Sequence, residues 1–315
     1  MGANFIEDSI DFGAYMASTE AAHKLIPAGA FGAEVADYFE HGAQQTGAKL
    51  PWRKTRELIR FRPGEVTLWS GMNGHGKSLA LGQAASGFVC QRERVCIASF
   101  EMRPVVTLAR MTRQSVGCRQ PDRDVTLELH DVWSDWLWMY DQQGQVTGER
   151  ILAVMRYAAE KLKIKHFILD SLMKCGLAED DYTGQKLFID ALCTIARDTG
   201  MHIHLVAHSR KGKDETQAPG KMDVKGSGSI TDQVDNVVIW WRNKAKEAAA
   251  QAGEPVEPNK PDAIMVIDKQ RNGEFEGKVA FWFDRDSMQY LENSMQQPVD
   301  MHSPGYWADE RGFDG

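Results

Sequence analysis

One eight-residue pattern constrains the fold of this chain more than any other feature of its sequence. The segment GMNGHGKS, residues 71–78, fits G-x-x-x-x-G-K-[ST], and the apolar residues Val66, Leu68 and Trp69 precede it. In a chain of this length such a match arises by chance at a rate of roughly one per cent. Because a helix start follows at Lys77, the segment predicts a strand, a phosphate-binding loop and a helix in succession.

The residue types in this loop are those that nucleotide binding requires. Successive backbone N–H groups of a glycine-rich turn, together with the N-terminus of the following helix, cradle phosphate oxygens. Lys77 would neutralise the β- and γ-phosphates, and the Ser78 hydroxyl would ligate Mg²⁺. We therefore expect ATP or another nucleoside triphosphate to bind here together with Mg²⁺. The predicted nucleotide-binding residues of the loop are Gly71, Asn73, Gly74, His75, Gly76, Lys77 and Ser78.

The composition is ordinary for a soluble globular protein, with 43% hydrophobic and 26% charged residues among 315. The sequence contains no run of eighteen apolar residues and no secretory signal, so we expect a cytoplasmic protein without a membrane partner. Five cysteines without a C-x-x-C pair indicate reduced thiols rather than a zinc site or disulfides. The net charge of −7 does not attract nucleic acid as a whole, although a local basic channel still could.

From residue 64 onward, apolar strand patterns alternate with helix patterns. Strands are predicted at 65–70, 94–100, 136–141, 166–172, 202–209, 236–242 and 263–271, with a closing hairpin at 278–284 and 288–292. Helices are predicted from Lys77 onward and at 104–116, 148–163 and 184–200. Pro104 suits a helix start, and Gly200 suits a helix end. Apolar strands alternating with helices favour an α/β fold with a mainly parallel sheet covered on both faces.

Residues 1–50 are predicted to form a helical N-terminal arm ahead of a domain at residues 51–292. The segment FGAEVADYFEHGAQQ has helical periodicity. Its apolar face comprises Phe31, Val35, Tyr38 and Phe39. Such a face must be buried, either on its own domain or on a neighbouring subunit.

Residues 293–315 are predicted to form a disordered acidic tail. The segment is polar, contains prolines and glycines, and has an excess of acidic residues. Trp307 and Phe313 are an aromatic pair within it. An aromatic pair within an acidic segment suits a docking peptide for a basic patch on a partner protein.

Two carboxylates follow predicted strands that end beside the loop. Asp170 ends the strand HFILD and could hold the shell of Mg²⁺; many strands end in aspartate, so this interpretation depends on the neighbouring phosphate-binding loop. Glu101 follows the strand that ends in ASF. It either faces the γ-phosphate and orients the attacking water as a general base, or caps the next helix.

Six motifs together resemble one family of motor proteins. The glycine loop, SFEM, FILDSLMK, LVAHSRK, GSGSITDQVDNVVIWWRN and DKQRNGEFEG occur in this order. Their order and spacing resemble those of the ring-forming replicative helicases of the DnaB type, especially the helicase halves of Twinkle and the phage primase-helicases. The resemblance covers about residues 50–292. It implies a RecA-like ATPase core, a hexamer, and translocation on single-stranded DNA. It also implies that the acidic tail, with Trp307 and Phe313, docks on a basic patch of the replicative DNA polymerase.

The resemblance also implies roles for individual residues. Glu101 matches the catalytic glutamate, and His208 matches the polar residue that senses the γ-phosphate, although a histidine at a strand end can also simply bond to backbone. Arg242 and Phe283 match the positions that sandwich the nucleobase, and Phe283 is equally compatible with core packing. Lys269 and Arg271 match a cationic pair inserted into the neighbouring subunit's site.

One departure from the family pattern affects the expected coupling between nucleotide and DNA. The family usually has glutamine three residues after the strand-end aspartate, where this sequence has Met173. Ser171 stands where an aromatic residue or asparagine is common, and the pair Asp170–Ser171 also resembles recombinases of the RecA type.

The segment SRKGKDETQAPGKMDVK, residues 209–225, is the predicted DNA contact. Its glycines and proline predict a flexible loop, and its lysines and arginine suit contacts with backbone phosphates, although a solvated surface loop has the same composition. By resemblance it projects into the central channel of the ring. The predicted DNA-binding residues are Arg210, Lys211, Lys213, Lys221 and Lys225.

These features together predict a nucleoside triphosphate-driven helicase at a replication fork. A recombinase of the RecA type, forming a filament on DNA, is the main alternative. A switch protein that uses its nucleotide site for assembly alone is a second alternative, which the set Lys77, Glu101, Asp170 and Arg271 disfavours. We expect any primase to be a separate chain, and we expect the cytoplasm of a phage-infected bacterium as the location.

Overall fold

The computed structural model describes residues 28–41, 46–177, 181–209, 228–303 and 306–307. The described helices are α1 (Gly32–His41), α2 (Lys77–Cys90), α3 (Pro104–Val116), α4 (Arg123–Trp133), α5 (Gly148–Leu162), α6 (Tyr182–Thr199), α7 (Gly228–Gln233) and α8 (Lys244–Gln251). The described strands are β1 (Val66–Ser70), β2 (Val95–Ser99), β3 (Leu137–Met139), β4 (His166–Asp170), β5 (His202–Val206), β6 (Asn236–Arg242), β7 (Ala263–Gln270), β8 (Gly277–Phe283) and β9 (Tyr290–Leu291).

The nine described strands form one sheet in the order β3-β2-β4-β5-β1-β6-β7-β8-β9. The first six strands in this order pair in parallel, and β7, β8 and β9 extend the sheet by antiparallel pairing. The predicted α/β fold with a mainly parallel sheet and a C-terminal hairpin is therefore confirmed. Strands β1, β2, β4 and β5 are buried along their whole length, which explains their unbroken apolar runs.

Two hydrophobic cores lie on opposite faces of the sheet. Because successive strand residues point to opposite faces, Leu68 belongs to one core and Trp69 to the other. Helices α5 and α6 cover the first face, where Met155 and Leu192 are fully buried. Helices α2, α3 and α4 contribute to the second core, where Phe88 of α2 is fully buried. This layering holds the helix after the phosphate-binding loop firmly against the centre of the sheet.

The helix boundaries follow local signals where the sequence provides them. Pro104 is the first residue of α3, as predicted. Gly200 adopts a left-handed φ of 68° directly after α6, as predicted. The sequence analysis did not assign α4 or α8. Helix α4 presents only Leu129 and Trp133 as buried residues, so its apolar face is narrow.

A buried histidine network joins β4 and β5. It comprises His166, His202 and His204, each at most 3% exposed. His166 Nδ1 lies 3.1 Å from His204 Nε2, and the His204 Nδ1 atom accepts a bond of 3.2 Å from the Trp69 indole N–H. Phe88 stacks against His166 with 4.4 Å between ring centroids. The three imidazoles thus pack in the second core as aromatic rings, and both nitrogens of His202 and of His204 have hydrogen-bond partners inside the protein.

Helix α1 confirms the helical part of the predicted arm. Phe31 is 40% exposed, Val35 49% and Phe39 79%. Ala48 and Leu50, which the sequence analysis assigned to the arm, are buried in the core, and Ala48 pairs with Phe61. Among the described residues, no helix combines the length and the apolar character needed to cross a lipid bilayer.

The described part of residues 293–315 packs on the domain rather than forming a disordered tail. Met301 is fully buried and Trp307 is 7% exposed, with the Trp307 indole N–H bonded to the Met301 carbonyl at 3.1 Å. The Tyr306 hydroxyl donates to the Pro51 carbonyl at 2.8 Å. The composition of the segment did not predict the buried residues Met301 and Trp307, because each is a single apolar residue among polar ones. The burial of Trp307 also removes it from the predicted polymerase-docking pair, and Phe313 lies outside the described residues.

Candidate active site

The loop at residues 71–78 has a backbone that only glycine permits at two positions. Gly71 has a φ of 151° and Gly76 a φ of 85°. A Cβ atom at Gly71 would lie 2.2 Å from the Trp240 carbonyl oxygen, and one at Gly76 would lie 2.3 Å from the Tyr290 hydroxyl oxygen. The loop therefore lies in direct contact with an aromatic floor formed by Trp240 and Tyr290.

The Lys77 ammonium group lies inside the loop. Its Nζ donates to the carbonyl oxygens of Gly71 at 2.7 Å and Met72 at 2.9 Å. Burial lowers the pKa of Lys77 to about 8, while the charges of Asp170 and Glu101 oppose this change. Phosphate oxygens bound in the loop would stabilise the charged form of Lys77, which burial disfavours.

Ser78 and Asp170 form a pair of oxygen donors at the head of α2 and the end of β4. The Ser78 hydroxyl donates to Asp170 Oδ2 at 2.5 Å. Burial raises the pKa of Asp170, and the hydrogen bond from Ser78 opposes that rise. Ser99, at the end of the neighbouring strand β2, has a buried hydroxyl with no hydrogen-bond partner among the described residues. Hydroxyl and carboxylate oxygens are the ligands that Mg²⁺ prefers, so Ser78 and Asp170 fit that ion.

A cavity of about 410 Å³ opens above these groups. Its polar lining is rich in the groups that bind or transfer phosphate. Ten of the residues predicted for the site line it: Asn73, Gly74, Gly76, Lys77, Ser78, Glu101, Asp170, His208, Arg242 and Phe283. The fold therefore brings together side chains from the loop and from the ends of β2, β4, β5, β6 and β8.

Arg242 and Phe283 contact each other directly at the rim of the cavity. The Arg242 guanidinium carbon lies 5.1 Å from the centre of the Phe283 ring. Arg242 Nη2 also donates to Glu247 Oε1 at 2.8 Å. This spacing leaves no room for a base between the two side chains. A base would have to separate them, or stack on an outer face of the pair.

His75 occupies a different place from the one that a phosphate contact requires. Its side chain is only 2% exposed, and its Nδ1 atom accepts the backbone N–H of Arg242 at 3.1 Å. The imidazole therefore ties the loop to β6. The His75 backbone N–H donates to the Met72 carbonyl at 3.3 Å, so the contacts of this residue lie within the protein.

The structure adds residues to the site that the sequence analysis missed. Arg110 of α3 lines the cavity, with its Nη1 atom 2.9 Å from the Met102 sulfur. Ser99 and Met288 line it as well. The signal for Arg110 was a basic residue on the predicted helix that follows Glu101, whereas Met288 reaches the site through tertiary folding alone.

Lys269 and Arg271 do not line the cavity. Arg271 Nη1 lies 3.0 Å from Asp235 Oδ1, and Asp235 in turn accepts the backbone N–H of Val66, the first residue of β1. The phosphate-binding loop follows the other end of β1. A strand of five residues spans about 15 Å, so Arg271 lies at the opposite end of β1 from its own chain's loop. The predicted DNA-binding residues, Arg210, Lys211, Lys213, Lys221 and Lys225, lie outside the described part of the chain.

Comparisons with known proteins found relatives by sequence and by fold. A DNA helicase/primase of Enterobacteria phage T3 is 27% identical over 206 residues, which are 58% of this chain and 36% of that protein. The chain thus spans about a third of the length of this relative. A solved ATPase domain superposes with a TM-score of 0.71 at 16% identity, covering 84% of this chain and 97% of that one.

A second solved structure is described as that of a DnaB-like replicative helicase and its interactions with primase. It superposes with a TM-score of 0.66 at 15% identity. That match covers 85% of this chain and 67% of the other. The two superpositions establish a shared RecA-like fold. A family model described as an AAA domain matches residues 43–214, which is more than half of the chain. The chain therefore belongs to the AAA domain family, with the fold seen in the ATPase domains of DnaB-like helicases.

Proposed function

We propose that this chain is the motor of a ring-shaped helicase that hydrolyses a nucleoside triphosphate, moves along single-stranded DNA and separates duplex at a replication fork. One observation supports this most directly. Lys77, Ser78, Glu101 and Asp170 line one cavity, while Arg271 lies at the opposite end of β1 from it. A site divided in this way suits an assembly in which each subunit completes its neighbour's site.

In the proposed mechanism, the loop and Lys77 bind the phosphates of the nucleotide. Ser78 and Asp170 would hold Mg²⁺, which would supply charge neutralisation for the phosphates. Glu101 orients a water molecule and accepts its proton as the water oxygen bonds to the γ-phosphorus and the bond to the β-phosphate oxygen breaks. Glu101 is exposed to the cavity and contributes to the field at Lys77, which suits this position. His208 contacts the γ-phosphate from β5.

Arg271 acts on the nucleotide of the next subunit. The Lys269 ammonium group, which the resemblance pairs with Arg271, instead uses its three N–H donors within its own chain, on the carbonyl oxygens of Thr231, Asp232 and Val234. Charge spreads over the equatorial oxygens in the transition state, and an arginine stabilises it with several N–H donors. In this proposal Arg271 contributes to turnover far more than to nucleotide affinity.

The DNA contact is proposed for residues 209–225. Flexible lysines and an arginine there would bind backbone phosphates in a manner that is independent of sequence and sensitive to salt. Six copies around a channel would sum their charge, and hexamers are the form that the resemblance implies. Separate primase and polymerase partners, and a phage-infected bacterial cytoplasm, belong to the same proposal. Two of the proteins similar to this chain are described as helicases, which supports this function over a recombinase.

The proposal is tested by Glu101→Gln in the full chain. The variant should bind nucleotide as the unchanged protein does and lose turnover, because the attacking water loses its base. Glu128→Gln, at an exposed position of α4, is the matched control and should hydrolyse normally. Turnover by Glu101→Gln at the normal rate would contradict the assignment, and failure of the unchanged protein to displace a strand from a forked duplex would contradict the helicase.

A second experiment tests the divided site. Alone, Arg271→Ala should hydrolyse about a thousandfold more slowly than the unchanged protein, and Lys77→Ala should be inactive. In mixed rings, some boundaries join an intact loop to an intact arginine, so partial hydrolysis should return. Mixing is verified by co-purification of two different tags. Mixed rings without any hydrolysis would show that Arg271 works within its own subunit.

A further inference from the structure

Asp235 holds the guanidinium group of Arg271 outside the nucleotide cavity. Arg271 Nη1 lies 3.0 Å from Asp235 Oδ1. The second carboxylate oxygen, Oδ2, accepts the Val66 backbone N–H at 2.9 Å. One carboxylate therefore links Arg271 to the first residue of the strand that leads into the phosphate-binding loop.

The two partners of this ion pair differ in exposure. The Asp235 side chain is 12% exposed and the Arg271 side chain 46%. A carboxylate that is largely withdrawn from water is screened less by salt than a surface charge is. The pair therefore has an anchored end at Asp235 and an accessible end at Arg271.

Arg271 retains hydrogen-bonding capacity while it is held. A guanidinium group has five N–H donors. The Nη2 atom makes only long contacts, at 3.3 Å with the Gln233 carbonyl oxygen and 3.5 Å with the Asp232 carbonyl oxygen. The remaining donors suffice for phosphate oxygens, so Arg271 can stay bonded to Asp235 while it reaches a nucleotide.

The backbone around Arg271 is fixed by other contacts. The Arg271 backbone N–H donates to the Asp235 carbonyl at 2.9 Å. Asn272 donates through its amide to Glu65 Oε1 at 2.7 Å. The Lys269 ammonium group donates, at 2.8–3.0 Å, to the carbonyl oxygens of Thr231, Asp232 and Val234. Loss of the Asp235 carboxylate would therefore change the direction of the Arg271 side chain and leave the path of the chain in place.

We propose that Asp235 is a positioning residue that orients Arg271 toward the nucleotide of a neighbouring subunit. The inference rests on the proposed function, because it requires a nucleotide across the subunit boundary. An arginine that is already oriented loses less conformational freedom when the transition state forms. Asp235 thus contributes to turnover and not to nucleotide affinity.

The test is Asp235→Asn in the full chain. The asparagine oxygen can still accept the Val66 N–H, while an uncharged amide faces Arg271. We expect kcat to fall about tenfold, with KM changed by less than about twofold. Asp235→Glu should recover part of the loss because it restores the charge. Glu276→Gln removes one negative charge from the exposed turn between β7 and β8 and should change neither constant.

A double-mutant cycle separates positioning from a structural role. In an Arg271→Ala background, Asp235→Asn should cause no further loss of kcat, because there is no guanidinium to orient. An equal loss in both backgrounds, or an unchanged kcat for Asp235→Asn alone, would overturn the positioning role. Normal turnover by Arg271→Ala would overturn the divided site itself, which distinguishes failure of the proposed function from failure of this inference.

Discussion

Acidification should destabilise this protein through its buried histidine network. Burial lowers the pKa of His202 from 6.5 to about 4. Burial lowers the pKa values of His166 and His204 well below 6.5, and the neighbouring histidines lower them further. The folded state therefore requires neutral imidazoles, whereas the unfolded chain accepts protons once the pH falls below about 6.5.

The sign and size of the effect follow from this difference in proton binding. The folded-state pKa is lowered, so the stability contribution is complete above about pH 6.5 and is lost as the pH falls toward about 4. At pH 5, His202 alone should cost about 2 kcal/mol of the free energy of unfolding. The lowered pKa values of His166 and His204 add to the loss in the same direction.

The assay compares the unchanged protein with His202→Gln. The hydrogen bonds around His202 run in one direction, because the Asn236 amide donates to Thr67 Oγ1, Thr67 donates to His202 Nε2, and His202 Nδ1 donates to the Arg62 carbonyl. A glutamine can accept from Thr67 and donate to Arg62 without titrating.

Urea unfolding is followed by far-ultraviolet circular dichroism at pH 7.5, 6.5, 5.5 and 5.0, at one fixed protein concentration. Between pH 7.5 and 5.0, His202→Gln should lose about 2 kcal/mol less than the unchanged protein. Parallel stability curves for the two proteins over this range would refute the reasoning, since His202 would then titrate alike in both states.

Three further predictions concern the loop, the DNA contact and the C-terminal anchors. In urea titrations, Gly71→Ala should lower the free energy of unfolding by about 3 kcal/mol, because the added Cβ would collide with the Trp240 carbonyl oxygen. Gly74→Ala should lower it by only about 1 kcal/mol, because the space around that Cβ is open. Truncation after residue 292 should cost about 4 kcal/mol by removing Met301 and Trp307, measured in the same titrations; an unchanged midpoint would contradict it. Joint neutralisation of three lysines should weaken the dependence of single-stranded DNA affinity on salt concentration, measured by fluorescence anisotropy. Hydrolysis in the absence of DNA should not change. An unchanged salt dependence would place the DNA path elsewhere. Those lysines are Lys211, Lys213 and Lys221.

The strands were predictable because their burial is uniform. Strands β1, β2, β4 and β5 are covered on both faces, so their apolar runs are unbroken in the sequence. Helix α8 was harder to predict, because KAKEAAAQ has no buried residue and depends on alanine and on the Asn243 cap, whose side chain accepts the Lys246 N–H at 3.0 Å. The helix propensity of this segment is therefore not accompanied by a periodic pattern of apolar residues that would have predicted a helix.

Site residues were predictable from the sequence where they lie at the ends of strands. They were missed where tertiary packing decides the position of a side chain. Asp170 and Glu101 follow parallel strands, whose carboxyl ends meet at one edge of the sheet. The direction of the His75 side chain depends on its contact with Arg242, 167 residues away. The packing of Met301 and Trp307 likewise depends on partners distant in sequence, such as Ser115 for the Met301 backbone N–H at 2.9 Å. Sequence patterns record faces and spacings, whereas these contacts arise only when the sheet is assembled.

Trp240, in the aromatic floor beneath the phosphate-binding loop, should report on nucleotide binding through its intrinsic fluorescence. The Trp240 indole nitrogen would lie 3.9 Å from a Cβ at Gly76, and its ring meets the Tyr290 ring edge-on at 4.6 Å between centroids. Indole emission responds to nearby charge and to the polarity of its surroundings. A triphosphate entering the loop brings several negative charges close to this indole, so its arrival and departure should change the intrinsic fluorescence. Nucleotide exchange can then be timed in a stopped-flow instrument on unlabelled protein, with Trp240→Phe as the silent reference.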